Sequence, residues 1–530
     1  MLKGTWMKNI TSVAIALFVS GAAAFGAGDL PLPRFADPAR RAKLEKALPE
    51  LEKVFEEYRL RRGIPGLVYG VVIDGDLVSV KTMGVRDRES NAPVTPDTVF
   101  RIASMTKSFT ALAILKLRDE GKLSLDDPVS KWIPQFARLE YPTRDTAPLR
   151  VRQLLTHSAG FPEDNPWGDQ QLGVSEDQLT AWLEKGLPFS TPPGTAYEYS
   201  NYGFALLGRI VSNASGMPYR DYLEEQVLAP LGMTHSTLEP SSVPADVRAT
   251  GYRKTGETYS VEKPLAHGGF GSMGGLLTSA RDLGRYVAFQ LSAFPPRDEE
   301  DGGPVKRSSR REMQQVWRQG TFNVRRSAGD SELQVEAGGY GYGLAVWRNC
   351  RFSHVVGHGG GLPGFGSYML WLPEHGVGMF AMANLTYAGP RQPIEESLNI
   401  LRKTGALKPR ELPASPVLLS TRDAIVRLWH SWSEKGAEQM AADNLFLDRP
   451  AAERRAEIER IKGAVGACRP PEKIDAENWL RGTFRMNCER GAVDVFFTLA
   501  PTKPPRVQHL SFARTSAGVA RSTQTSACSE

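Results

Sequence analysis

Cysteine is scarce in this chain, with four among 530 residues. So few cysteines exclude a small scaffold built on disulfides, and no Cys-x-x-Cys pair is present to indicate a structural zinc site. The excess of one sign of charge is also small, because the chain has 65 Lys and Arg and 59 Asp and Glu, for a net charge of +6. No run of five or more basic residues occurs, so we expect no nucleic-acid partner.

Long apolar runs are absent beyond the first 26 residues. Lys3 and Lys8 precede an apolar segment at 10–25, which ends in small residues typical of a cleavage site. The segment is shorter than the roughly 18 residues that a membrane helix needs. We therefore predict a signal peptide over residues 1–26, export to the periplasm or medium, and no membrane span after its removal.

The length of the chain exceeds what one hydrophobic core usually serves. We predict a large domain over 35–405, a proline-rich linker over 406–420 and a small α+β accessory module over 421–530. In an exported protein, Cys468 and Cys488 are the expected disulfide pair. Pairing of Cys350 and Cys528 stays open.

Apolar periodicity predicts the main elements of the large domain. Residues 43–62 have a helical pattern that Pro49 delays or kinks. Two β-rich runs meet at Asp74-Gly75, a hairpin signal, and a helix is predicted over 105–118. Three further strand-like runs are FSHVVGH, GSYMLWL and GVGMFAMAN.

A serine and a lysine three residues apart open the predicted helix at 105–118. Ser104 and Lys107 would share one helix face, since residues i and i+3 are neighbours there. A serine becomes nucleophilic when a neighbouring base takes its proton, and a buried lysine of lowered pKa can be that base. Ser260 and Lys263 have the same spacing, but a proline follows them and no apolar helix is predicted.

Tyr199 and Asn201 form a second motif ahead of another apolar stretch. A tyrosine beside a lysine ammonium can have its pKa lowered and exchange protons near neutral pH. An asparagine can orient the lysine or hydrogen-bond a substrate amide. A lone Tyr-x-Asn triplet is more often a loop whose tyrosine packs on the core.

The third motif is the glycine-rich segment 357–361, which contains His358. Backbone without side chains lets a substrate lie against a strand edge and frees N–H groups to donate hydrogen bonds. Otherwise such a segment is a glycine turn with a surface histidine. His354 would share the strand face of His358, but no third ligand accompanies them, so we expect no metal site.

Together these motifs occur in the order SxxK, YxN and HGG. In this order, and over residues 45–400, the chain resembles the serine β-lactamase-like hydrolases. That group includes class C β-lactamases, D-Ala-D-Ala carboxypeptidases, D-aminopeptidases and related carboxylesterases. The resemblance implies an α/β (α+β) fold with an antiparallel sheet flanked by helices and a mostly helical subdomain. The flanking segments that strengthen it are FRIASMTKSFTALAIL, LLTHSAGF, PPGTAYEYSNYGFALLG, YGYGLAVW and GHGGGLPGFGSYMLWLPEHGVGMFAMAN.

The resemblance also implies roles for the motif residues. Ser104 would be acylated, while Lys107 and Tyr199 would share the general base and acid work. Asn201 would orient Lys107 or the substrate. Backbone N–H groups of Ser104 and Gly361 would form an oxyanion hole. The substrate would be a small-molecule or peptide ester or amide, with no metal or organic cofactor.

His358 and Gly359 stand where β-lactamases have a lysine and a threonine that help hold the antibiotic carboxylate. A histidine is at most partly cationic at neutral pH, and glycine has no hydroxyl. His358 would instead lie near Tyr199 and hold or polarise groups there. We therefore expect an exported esterase or peptidase that forms an acyl-enzyme. The alternatives are a β-lactamase, a penicillin-binding sensor without turnover, and an inactive scaffold.

Overall fold

The computed structural model describes residues 30–326 and 333–515, so the predicted signal peptide and Cys528 lie outside the described residues. The chain divides into two compact units. The larger spans Pro33–Glu411, and the smaller combines residues 30–32 with the described residues from Leu412 onwards. A helix at Pro416–His430 begins inside the segment predicted as a linker. Every helix in the described part is too short or too polar to cross a membrane.

A large antiparallel sheet forms the centre of the larger unit. The strands of this unit are β1 Gly66–Ile73, β2 Asp76–Asp87, β3 Ala92–Pro93, β4 Phe100–Arg101, β5 Tyr252–Thr255, β6 Thr258–Val261, β7 Leu277–Thr278, β8 Arg318–Arg326, β9 Leu333–Tyr340, β10 Ala345–Asn349, β11 Val355–Leu362, β12 Phe365–Leu372 and β13 Val377–Ala383. Nine of them form the sheet, in the order β3-β2-β1-β13-β12-β11-β10-β9-β8. Two small two-stranded sheets pair β4 with β7 and β5 with β6.

Helices cover both faces of the large sheet. They are α1 Arg40–Lys46, α2 Leu48–Arg62, α3 Thr106–Asp119, α4 Val151–Leu155, α5 Glu176–Glu184, α6 Asn201–Ser215, α7 Tyr219–Leu223, α8 Gly271–Gly274, α9 Ala280–Leu291, α10 Arg307–Met313 and α11 Arg391–Lys403. One apolar cluster joins the sheet to α3, α6 and α9, and a second joins its other face to α1, α2 and α11. This arrangement confirms the predicted fold class, an antiparallel sheet flanked by helices.

Local sequence signals account for the first elements. The helix predicted over 43–62 is divided at Ala47, and Pro49 lies in the first turn of α2, where its missing N–H leaves no helical bond unmade. The β1–β2 hairpin turns at Asp74 and Gly75, whose φ angles are +54° and +92°. Positive φ at both positions matches the right-handed twist of the paired strands, which explains the Asp-Gly turn.

The glycine-rich segment 357–361 is part of a strand rather than a turn, since β11 continues to Leu362. At Gly360 a Cβ atom would collide with the backbone oxygen of Ile102 and the hydroxyl of Ser367. The Ser367 hydroxyl donates to the same Ile102 oxygen at 2.7 Å. Glycine therefore lets β11 lie directly against the turn that carries Ser104.

The smaller unit is a separate α+β fold with its own apolar core. Its elements are α12 Pro416–His430, α13 Glu434–Met440, α14 Asn444–Asp448, α15 Ala451–Val465, β14 Ile474–Asn478, β15 Arg481–Cys488, β16 Gly491–Leu499 and β17 Val507–Thr515. The strands form an antiparallel sheet in chain order. The predicted Cys468–Cys488 disulfide is confirmed.

We predict that Gly360→Ala lowers the stability of the larger unit by about 1–3 kcal/mol, the usual cost of forcing an extra carbon into a packed site. Thermal unfolding followed by circular dichroism measures the change. Gly302→Ala is the matched control, because nothing lies within 4 Å of the added Cβ there. Equal melting temperatures for the two variants would contradict the close packing of β11 on the Ser104 turn.

Candidate active site

Ser104 lies in a tight turn that joins β4 to α3. The turn, Ala103–Met105, is a 3₁₀ turn in which Ala103 has a φ of +50°. Its hydrogen bonds come from three parts of the chain. The Ile102 N–H donates to the Leu276 oxygen at 3.0 Å, and the Thr106 hydroxyl donates to the Ala103 oxygen at 2.7 Å. Together with the Ser367 contact, these bonds fix the serine at the amino end of α3.

Lys107 is fully buried, and its Nζ lies 3.0 Å from Ser104 Oγ. The same Nζ donates to Asn201 Oδ1 at 2.7 Å and to the Met273 backbone oxygen at 2.9 Å. Burial lowers the pKa of Lys107 to about 7. Because an amide oxygen and a carbonyl oxygen only accept, the two N–H bonds of a neutral lysine point to them and its lone pair faces Ser104.

Asn201 is the first residue of α6, and its orientation is fixed at both ends of the side chain. Its Nδ2 donates to Asn165 Oδ1 at 2.7 Å, so Oδ1 is the atom that faces Lys107. The Asp164 carboxylate accepts the backbone N–H groups of Asn201 and Tyr202, both at 2.7 Å. A carboxylate at a helix amino terminus is stabilising, and this one sets the position of Asn201.

Tyr199 lies close enough to Ser104 for that hydroxyl to affect the pKa of the phenol, and the Tyr199 ring centroid lies 4.9 Å from Lys107 Nζ. The expectation that the pKa of Tyr199 is lowered is wrong. Burial raises the pKa of Tyr199 well above the ordinary tyrosine value, and the nearby Ser104 side chain opposes this only in part. Tyr199 is therefore a phenol, able to give a proton but not present as a phenolate at neutral pH.

His358 faces Tyr340 rather than Tyr199. Its Nδ1 lies 2.6 Å from the Gly359 oxygen and its Nε2 lies 2.7 Å from the Tyr340 hydroxyl. A carbonyl oxygen cannot donate, so Nδ1 carries the proton and Nε2 accepts from Tyr340. Burial lowers the pKa of His358 to about 3, so the imidazole is neutral at any pH near 7. Its ring centroid is 6.4 Å from that of Tyr199.

The N–H of Gly361 lies on the open edge of β11. Leu362 and Phe365 flank a two-residue turn, which makes them a hydrogen-bonded pair of the β11–β12 ladder. Hydrogen-bonded and non-hydrogen-bonded pairs alternate along an antiparallel ladder, so the N–H of Gly361 points away from β12. On that edge β10 pairs only with residues 355–357. Gly361 and the amino end of α3 can thus both present N–H groups to a substrate oxygen.

Two neighbouring aromatic residues were not predicted, His157 and Tyr340. The His157 ring centroid lies 4.3 Å from that of Tyr199 and 4.5 Å from that of Tyr340, and its Nδ1 accepts the Ser200 N–H at 3.1 Å. Burial lowers the pKa of His157 well below its ordinary value. Both residues lie in segments that carry the family resemblance, LLTHSAGF and YGYGLAVW, but neither has a spacing that singles it out.

A cavity of about 310 Å³ opens beside Tyr199 and His358. Its other walls include Tyr340, Trp347 and Arg391. Ser260 lies on β6, not on a helix, so the second Ser-x-x-Lys lacks the setting of the first. Within the described ranges, no group of three His, Cys, Asp or Glu side chains is arranged to hold a metal ion.

A comparison with known protein families identifies the family of this chain. Residues 50–401 match the family model described as Beta-lactamase, and the chain belongs to this family of serine hydrolases. This confirms the family that the three motifs indicate.

Among curated relatives, Protein flp of Staphylococcus aureus (strain NCTC 8325 / PS 47) is 30% identical over 339 residues, which are 62% of this chain and 61% of that protein. The chain thus spans about three fifths of the length of that relative. Beta-lactamase-like protein 2 of Dictyostelium discoideum is 32% identical over 278 residues, half of each chain.

Solved structures show the same fold. The octameric penicillin-binding protein homologue from Pyrococcus abyssi has a TM-score of 0.57 and 24% identity, covering 88% of this chain and 96% of that one. A class C β-lactamase from Rhodobacter sphaeroides has a TM-score of 0.51 and 22% identity, covering 67% of this chain and 98% of that one.

We predict that Asp164→Asn moves the pH dependence of Ser104 reactivity to lower pH. The Asp164 carboxylate raises the pKa of Lys107 against the effect of burial, so its removal lets that pKa fall further. The measurement is the rate of labelling by a fluorophosphonate as a function of pH. Glu163→Gln, an exposed neighbour, is the control. An unchanged or raised midpoint in Asp164→Asn would contradict the prediction.

Proposed function

We propose that this protein is an exported serine hydrolase that cleaves an ester or an amide through an acyl-enzyme. The arrangement of Lys107 supports this most directly. Its Nζ lies 3.0 Å from Ser104 Oγ, while Asn201 and Met273 take its other hydrogen bonds. With a pKa of about 7, the lysine is available as a base near neutral pH.

Acylation begins when Lys107 takes the proton of Ser104 and Oγ bonds to the substrate carbonyl carbon. The electron pair of the C=O bond moves to oxygen, which the N–H groups of Ser104 and Gly361 stabilise. When the carbonyl reforms, the bond to the leaving atom breaks. That atom takes the Tyr199 proton, and Tyr199 recovers one from Lys107. The products are an acyl-serine, a free alcohol or amine and a neutral lysine.

Deacylation repeats these steps with water as the nucleophile. Lys107 takes a water proton as the water oxygen bonds to the acyl carbon, and the bond to Ser104 Oγ then breaks. Ser104 Oγ takes a proton from Tyr199, which again recovers one from Lys107. The high pKa of Tyr199 suits this role, since a phenol keeps its proton until the leaving oxygen or nitrogen becomes more basic.

The neutrality of His358 favours an ester or amide over a β-lactam. This residue stands where the family lysine would help to hold a carboxylate, and its pKa of about 3 leaves it without charge. The cavity beside Tyr199 lies next to the proton donor, so it is where a leaving alcohol or amine would sit. A β-lactamase is the second candidate, on the family membership alone.

We predict that Ser104→Ala loses p-nitrophenyl ester hydrolysis by at least about a thousandfold, the usual effect of removing a nucleophile. Ser260→Ala is the matched control, because Ser260 has the same Ser-x-x-Lys spacing and an exposed side chain on β6. Turnover of p-nitrophenyl acetate, with nitrocefin and a labelled penicillin assayed in parallel, is the measurement. Nitrocefin turnover would favour the β-lactamase, and stable penicillin labelling without turnover would favour the sensor.

We also predict that kcat/KM for the ester rises with pH through a midpoint near 7 and then levels off. Below the pKa of Lys107 the amine is protonated and cannot take the Ser104 proton, whereas above it the base is free. His358→Gln should keep the same midpoint, because His358 does not titrate in this range. A midpoint that disappears in His358→Gln would assign the titration to the imidazole instead.

A further inference from the structure

Tyr387, in the loop after β13, lies over the strand that carries Gly361. A Cβ atom on Gly361 would be 2.7 Å from Tyr387 Cδ1, so the ring covers this glycine. The Tyr387 backbone is in the left-handed region, with a φ of +54°, and its N–H donates to the Phe365 oxygen at 3.2 Å. Left-handed backbone is uncommon for a tyrosine and persists where the surrounding structure holds it, so the loop fixes the Tyr387 backbone beside β11.

The hydroxyl of Tyr387 donates to Asp169 Oδ2 at 3.0 Å. Asp169 is 4% exposed and lies in the short turn Gly168–Gln170. That turn packs on Asn201, since a Cβ on Gly168 would be 2.9 Å from Asn201 Nδ2. The hydrogen bond therefore joins the Asn201 side of the site to the Gly361 side.

Tyr387 and Asp169 lie on the side of Ser104 towards which an acyl group would extend. Tyr199 and His358 line the cavity for the leaving group, and neither Asn201 nor Gly361 is among its walls. The acyl substituent and the leaving group extend from the carbonyl carbon in different directions. An acyl chain on Ser104 would thus run towards Asn201 and Gly361, with Tyr387 and Asp169 at its end.

Asp169 is a buried carboxylate without a directly bonded cation among the described residues. Lys107 lies close enough to affect it, but the hydrogen bonds of its Nζ go to Ser104, Asn201 and Met273. Asp169 accepts one described hydrogen bond, from Tyr387, whereas a carboxylate can accept about four. Burying an unpaired carboxylate is costly, and an incoming ammonium group would offset that cost.

We propose that Asp169 and Tyr387 form a subsite for an ammonium group on the acyl part of the substrate. The preferred substrates are then esters or amides of short amino acids, with the amine one or two carbons from the carbonyl. The Tyr387 ring lies against Gly361 and its hydroxyl bonds to the Asp169 carboxylate, so a single ring bridges the oxyanion hole and the carboxylate, which favours a short acyl group. The inference rests on the proposed function and names its substrate class.

The test compares the p-nitrophenyl esters of alanine and of propionic acid, which differ by the amine alone. Each kcat/KM is divided by the rate of hydroxide hydrolysis of the same ester, since an ammonium group activates its own ester. Assays are run below the pKa of that ammonium, with both alanine enantiomers. We expect the wild type to prefer one alanyl ester by at least about tenfold, as a charge-assisted hydrogen bond allows.

Three variants make the assignment specific. Asp169→Asn should reduce the preference for the alanyl ester by about tenfold or more. Tyr387→Phe keeps the ring that covers Gly361 and removes the hydroxyl that competes with the ammonium for the Asp169 carboxylate, so the preference should not fall; a loss as large as in Asp169→Asn would contradict this. Asp177→Asn is the charge-matched control, because Asp177 is exposed on α5 and should leave the preference unchanged.

The outcomes separate this inference from the proposed function. A wild type that hydrolyses both esters with equal normalised rates overturns the ammonium subsite and leaves the hydrolase standing. Hydrolysis of neither ester, with no fluorophosphonate labelling of Ser104, overturns the proposed function and the inference together. The wild-type ratio decides the matter even where Asp169→Asn does not fold.

Discussion

Removal of water from the Lys107 side chain is the constraint on which the rest of the site depends. A lysine ammonium in water keeps its proton far above neutral pH, and full burial brings the pKa of this one to about 7. Burial alone would leave the lone pair without direction. The oxygens of Asn201 and Met273 orient the lone pair, because they accept the two N–H bonds of the neutral amine and leave its lone pair facing Ser104.

Much of the surrounding structure holds those acceptors in place. Asp164 caps the helix that begins at Asn201, and Asn165 fixes which atom of the amide faces the lysine. The segment that contains Met273 is tied to α3 by hydrogen bonds from Thr110 to the Ser272 oxygen and from the Leu276 N–H to Thr106. Desolvation acts on the other groups too: it raises the pKa of Tyr199 and lowers that of His358, so both are uncharged. Of these three groups, Lys107 is therefore the one whose pKa lies near neutral pH.

Part of this site could be predicted because its geometry is local. Ser104 and Lys107 are three residues apart at the start of a helix, so the spacing itself brings Oγ and Nζ together. The Asp-Gly hairpin and the apolar strands are local in the same sense, since alternation and turn residues act on near neighbours. The order of three motifs and a family resemblance, rather than spacing, predicted the remaining site residues, which are Tyr199, Asn201, His358 and Gly361.

The Ser104–Lys107 pairing, the main helices and strands, the Cys468–Cys488 pair and the family could all be predicted from the amino-acid sequence. The tertiary structure sets the direction of the pKa shifts, because desolvation depends on everything packed around a group and not on its neighbours in the chain. It also decided that His358 bonds to Tyr340 and that Asp169 meets Tyr387. These partners come from separate strands and loops, and a contact between distant segments leaves no periodic signal in either one.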